Sequence, residues 1–135
     1  MVLQSVALPR YQNLTSLRIS RGFPAVYIGM NFAATALWTV GVLSAIYAGS
    51  LDPDFRVTAS SLSAVINGVA TIMMFILIDP YLAGLTDDVV EGEVSQSYYR
   101  QVLVWMVLSR LAGTLFAQLL LVPGAHLIVV IARWI

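Results

Sequence analysis

Long stretches of this chain run without charge, and the polar residues within them fall on faces rather than at random. The clearest lies between Arg56 and Asp79, RVTASSLSAVINGVATIMMFILID, whose interior carries no charge. Wound as a helix, Val57 to Ile78 is about 33 Å long, enough to cross a hydrocarbon core of roughly 30 Å. Thr58, Ser60, Ser61, Ser63, Asn67 and Thr71 crowd its first half, whereas Ile72 to Ile78 is apolar. Hydrocarbon offers hydroxyls and amides no partner, so part of this helix is expected to face protein, water or a ligand.

Upstream, Pro24 suits the first turn of a helix, and Ala25 to Ser50 is uncharged throughout. Gly41, Ala45 and Gly49 recur every four residues as a small-residue seam, expected to pack against Ala64 and Gly68 of the second span. Asn31, Thr35 and Thr39 form a separate polar stripe that suits hydrogen bonding to a neighbouring helix. Leu51 to Phe55 is too short for anything but a hairpin connection, so these two spans are expected to be antiparallel neighbours. Asp79-Pro80 reads as the end of the second span, and Tyr81 to Arg100 as a polar, acidic loop.

The last apolar block, Gln101 to Ile135, would be about 52 Å long as one straight helix. Pro123-Gly124 is the natural break, which predicts a third span over Tyr98–Val122 and a kinked or interfacial segment after it. The fold class predicted is therefore all-α, a membrane helical bundle of three spans. A basic, interfacial or flexible leader occupies residues 1–23 and the transmembrane domain residues 24–135. The polar stripes exceed what three helices are expected to satisfy, which predicts self-association or a second polypeptide alongside the lipids.

Composition agrees. Of 135 residues 59% are hydrophobic and 10% charged, and mean hydropathy is +0.86. Soluble domains carry about 25% charged residues, so this chain could not clothe a water-facing surface. Seven arginines balance seven acidic residues, which offers no basic face for nucleic acid. With no cysteine and a single histidine, His126, neither a thiol nucleophile nor a metal site is expected, and no enzyme motif or cofactor loop is present. Three spans put Arg10, Arg18, Arg21 and Arg100 on one side and Arg56 and Arg133 on the other. The positive-inside rule then predicts a cytoplasmic N-terminus.

Candidate chemistry centres on Arg110, expected near mid-membrane, because an intramembrane charge marks a functional site by default and a guanidinium can clamp a phosphate through two hydrogen bonds. Its alternative role is a permanent structural contact, with Asp79, with a carbonyl freed at Pro123 or with an acidic group on a partner. Asn67, Thr71, Gln118, Arg56 and Asp79 complete the candidate path.

The order TVGVL-x-A-x-YAG, R-x-TAS-x-LS, NG-x-AT, DP, TD and GT-x-x-AQLL, between Pro24 and Ala125, resembles the C-terminal half of the Amj family, the alternate lipid II flippases. Arg56, Thr58, Ala59, Ser60, Asn67, Gly68, Thr71, Asp79, Pro80, Thr86, Asp87, Gly113, Thr114 and Gln118 match the pattern. The resemblance implies a transporter, not an enzyme, that helps move undecaprenyl-diphosphate-linked cell-wall precursor across the cytoplasmic membrane. Family members are about twice this length, so the resemblance implies a fragment, a half that pairs with a second polypeptide or a second copy, or a descendant kept for packing inside another complex. The residues alone leave open a different role, as a small accessory subunit of a larger respiratory or photosynthetic membrane complex.

Overall fold

The computed structural model describes residues 22–135, and the leader expected over residues 1–23 falls almost wholly outside them. Helix α1 spans Ala25–Leu51, α2 Arg56–Ile72, α3 Asp79–Val90 and α4 Gln96–Trp134. A 3₁₀ turn, Pro53–Phe55, joins α1 to α2, and a π-helical segment, Met73–Ile78, joins α2 to α3 without interrupting the helix. Among the described residues, three continuous helices are long and apolar enough to cross a membrane: Ala25–Leu51, Pro53–Val90 and Gln96–Trp134. The chain is an all-α, multi-pass membrane protein.

The Asp79-Pro80 boundary is corrected. The helix does not stop there but runs on to Val90, so most of the expected loop is helical. Proline lacks an N–H and its ring crowds the carbonyl four residues back, here that of Ile76. The π turn widens the helix at that point: the Asp79 N–H reaches back five residues to Met74 O, and Pro80 then occupies the first turn of α3. The connection shrinks to Glu91–Ser95. Gly92 (φ 83°) takes the left-handed conformation that closes a helix, and Ser95 Oγ accepts from Tyr98 N at 3.3 Å to cap α4.

Pro123 is likewise absorbed. Of the two outcomes expected after Val122, the helical continuation forms: α4 runs unbroken to Trp134, and Ala125, Ile128 and Ala132 are buried. The interfacial alternative does not form, because Ala125 and Ile128 pack in a core with Ala45, Ala48 and Ala59.

Both α2 and α4 pack along α1 and touch each other little. The α2 helix is antiparallel to α1, with Gly41 facing Ile66 and Gly49 facing Arg56; α4 is parallel to it, from Asn31 beside Met106 to Ser44 beside Leu121. Arg133 donates through Nη2 and Nε to Asp52 Oδ2 at 2.7 and 2.9 Å, which sets the end of α4 level with the α1–α2 turn. Asn31 lies six residues into α1 and its neighbour Met106 ten residues into α4, so α4 begins about 6 Å beyond the start of α1, where it forms a helical hairpin with α3. That hairpin carries Asp87, Asp88, Glu91 and Glu93, and its base is tied by a Tyr27–Tyr81 stack at 3.8 Å and a Thr86–Tyr99 hydrogen bond of 3.1 Å.

Close approach at the centre rests on glycines. A Cβ on Gly113 would lie 2.6 Å from Phe32 O and 3.2 Å from Thr35 Cβ, and the first of these is backbone that cannot step aside. Gly113→Val is therefore expected to lower stability by about 1–3 kcal/mol, read as a lower unfolding temperature in detergent with insertion unchanged. The Arg133–Asp52 pair predicts a smaller effect. With the side chains 61% and 13% exposed, Asp52→Asn is expected to cost less than about 1 kcal/mol by the same measurement.

The seam of α1 meets α2, but not through the residues first expected. Gly41 faces Ile66 and Asn67, and Gly49 faces Arg56. Ala64 is exposed and a Cβ on Gly68 would meet nothing within 4 Å. The Ala64–Gly68 row lies on the opposite side of the helix from Ala59 and Ala70, the buried face, and so looks away from α1.

Candidate functional site

Residue-by-residue rotation separates two flanks where α2 and α4 diverge over α1. Successive residues of a helix point about 100° apart. On α2, Ile66 and Asn67 both touch the place of Gly41's missing Cβ, so they straddle the helix contact. Ile66 lines an apolar groove of 360 Å³ with Leu37, Val40, Leu62, Gly124 and Leu127, which leaves Asn67 on the other flank. On α4, Gly113 marks the contact with α1; Phe116 and Leu120 lie on the apolar side beside Leu37 and Val40, and Arg110 and Thr114 fall opposite. The four-residue repeat then puts Thr71 on Asn67's flank and Gln118 on Arg110's. One side of the V is greasy; the other carries the polar side chains of α2 and α4 beside exposed apolar residues of α1 such as Ile46.

At one end of the polar flank stands Asn31. It is fully buried, and its amide is saturated: Nδ2 donates to Met106 O at 2.9 Å and Ser109 Oγ at 2.7 Å, while Oδ1 accepts from Arg110 Nε at 3.2 Å. Ser109 Oγ itself donates to Met106 O at 2.8 Å. Because a buried amide in an apolar span must find partners, this bracket fixes both the register of α1 on α4 and the direction of Arg110. Nε is held by Asn31, while the Nη edge of Arg110 has no hydrogen bond; the residue is exposed and forms no ion pair among the described residues. Thr114 Oγ1 donates to Arg110 O at 2.9 Å, and Thr35 and Thr39 donate to Asn31 O and Thr35 O at 2.7 and 2.9 Å. These threonines satisfy themselves on their own helices, and Asn31 bonds to the neighbouring α4, the use expected of this stripe. Asn67 Oδ1, pressed against Gly41, is buried without a hydrogen-bond partner.

Two sequence expectations for Arg110 change. It lies at the level of Asn31, about 9 Å from the start of α1 and toward the tyrosine-rich end, not at mid-span. Its partner is the neutral Asn31, not Asp79, which is exposed at the start of α3. Thr71 is half-buried, and Gln118 is exposed two turns beyond Arg110. Arg56 sits at the far end of the flank, where Nε donates to Gly49 O at 3.4 Å. His126 is exposed on α4, and among the described residues no three acidic or histidine side chains cluster as metal ligands. Asn31 itself was legible only as one member of a polar stripe; its pairing with Arg110 depends on the crossing of α1 and α4.

The family model described as "Amj: Alternate to MurJ" matches residues 1–132 of the chain. The chain is also 42% identical over 129 residues to lipid II flippase Amj of Bacillus subtilis, an alignment that covers 92% of the chain and 48% of that protein. The chain thus spans about half the length of the curated relative it matches. No solved structure matches it.

Proposed function

Because the chain belongs to the Amj family, we propose that it takes part in moving lipid II, the polyprenyl-diphosphate-linked cell-wall precursor, across the bacterial cytoplasmic membrane. The observation that carries the reading is the Asn31-tethered, exposed Arg110, whose Nη edge has no partner among the described residues. A guanidinium in that state binds a phosphate through two parallel hydrogen bonds. A transported head group needs such a contact to be reversible, and a neutral tether leaves Arg110 its full charge, as a carboxylate partner would not. Asn67, Thr71 and Gln118 supply further hydrogen-bonding groups along the flank, and the apolar groove on the opposite side is free for acyl or prenyl chains. No bond in the precursor need be made or broken.

The polar flank is open to one side, and three helices do not surround a disaccharide-pentapeptide head group. Further helices, from a second polypeptide or a second copy of this chain, close the path in this reading. In this reading the N-terminal end faces the cytoplasm: α1 and α4 begin at the same end, where Arg100 and the acidic hairpin lie, and the sequence that precedes α1 carries Arg10, Arg18 and Arg21.

The test is reconstitution with a fluorescent lipid II in one leaflet and a membrane-impermeant quencher on the other. Wild-type protein, with its copurifying partner where there is one, is expected to accelerate quenching over empty liposomes. Equal rates with and without protein would reject the proposal.

A further inference from the structure

The polar flank carries an arginine at each end, and the two are held alike. Arg110 is tethered through Nε to Asn31 Oδ1, and Arg56 through Nε to Gly49 O. Measured along α1, Asn31 and Gly49 are 18 residues apart, about 27 Å, close to the roughly 30 Å of a hydrocarbon core. Ser60 lies seven residues, two turns, before Asn67, so the Arg56 end belongs to the same flank as Asn67.

Around Arg56 the helices leave a recess of 330 Å³ lined by Ala45, Ile46, Gly49, Ser50, Arg56 and Ser60. Gly49 forms its floor. A Cβ there would lie 3.0 Å from Arg56 Cγ, so the absence of one lets the arginine stem lie flat against α1. The nearby carboxylate of Asp52 is engaged by Arg133, and Arg56 has no ion pair among the described residues. Ser60 Oγ and Ser50 Oγ donate to Arg56 O and Tyr47 O, which leaves their lone pairs and the arginine's Nη edge as the polar groups of the recess.

We propose that Arg56 and its recess form a second lipid-diphosphate site, at the opposite membrane face from Arg110, so that the flank presents one phosphate-binding arginine to each leaflet. The inference rests on the transport reading and extends it: a carrier that releases its head group on the far side has a place there to receive it. A recess of this size holds a diphosphate but not a sugar–peptide head group, so the rest of the substrate projects outward.

Farnesyl diphosphate is the probe, titrated into phosphatidylcholine nanodiscs of the full chain, with the number retained per chain read by native mass spectrometry. Two are expected for the wild type, one for Arg56→Gln, one for Arg110→Gln and none for the double variant. Ser60→Phe, which fills the recess while Arg56 stays, is also expected to retain one; it protects the test against a folding defect at the first turn of α2. If Arg56→Gln and Ser60→Phe both keep two while Arg110→Gln drops to one, the second site is refuted and the Arg110 reading stands. If every variant keeps the wild-type number, both fall. Phosphatidylglycerol displacing the probe from the Arg56 site at equal concentration would overturn its assignment to a diphosphate.

Discussion

Arg110→Ala is expected to insert, fold and assemble, yet to lose lipid II translocation. The guanidinium's loss removes charge-assisted hydrogen bonds worth about 1.5–3 kcal/mol, which weakens binding of the diphosphate by about 10- to 100-fold. The cost to folding is limited because the partner left behind is neutral. Asn31 keeps its hydrogen bonds to Met106 O and Ser109 Oγ, and only its Oδ1 is stranded. One unsatisfied buried acceptor costs about 1–3 kcal/mol, read as a lower unfolding temperature in detergent. A buried carboxylate in the same place would have made the variant lose about 3–5 kcal/mol and fail to assemble. Arg110→Lys should restore charge but neither the Nε tether nor the two-pronged geometry, and so recover transport only in part. Quencher accessibility of fluorescent lipid II and the unfolding temperature, measured on one preparation, check both halves of the expectation. Unchanged transport in Arg110→Ala would remove Arg110 from the path.

The sequence announced the helices but not how far they run. Uncharged length and small-residue spacing mark Ala25–Ser50 and Val57–Ile78 as spans, because desolvating a helix of that length tolerates no charge inside it. Proline misled at Asp79-Pro80, where local chemistry says stop. The helix continues because a π turn, Met73–Ile78, absorbs the steric conflict, and the packing of Ile78 and Leu85 with Val102 and Met106 favours one long hairpin over a loop. At Pro123 the same competition ends the same way, since Ala125 and Ile128 gain a buried core by staying helical. Periodicity also cannot say which of two small-residue rows meets a partner. Gly41 and Gly49 do, whereas Ala64 and Gly68 do not, since the α2 contact runs through Ile66 and Asn67 instead. The candidate site was half legible. A lone arginine in an apolar run stands out in any reading, but its depth and its partner come from the crossing of α1 and α4, a relation between residues 79 positions apart.

Asn31 provides the second large effect, and two substitutions divide it into charge and geometry. Asn31→Asp keeps the shape of the side chain and replaces the neutral tether by a carboxylate 3.2 Å from the Arg110 Nε. Oppositely charged groups at that distance in a poorly solvated site pair strongly, so a diphosphate must first displace the carboxylate from the guanidinium. Transport is expected to fall as far as in Arg110→Ala, about 10- to 100-fold, although the arginine is still present. The new anion would face Met106 O, which Asn31 Nδ2 now donates to, but Ser109 Oγ can turn and donate to the carboxylate in its place. The protein should therefore still assemble. Asn31→Leu makes the opposite change: Arg110 keeps its charge and loses its bracket, so its side chain must be ordered anew each time a phosphate binds. That ordering costs about 0.5–1.5 kcal/mol, which predicts a three- to tenfold loss in diphosphate affinity, smaller than for Asn31→Asp. Titration of farnesyl diphosphate into nanodiscs of both variants reads the order directly. If Asn31→Leu were the more damaging of the two at equal helix content, Asn31 would serve the packing of α1 on α4 alone, and the charge left free on Arg110 would have no part in recognition.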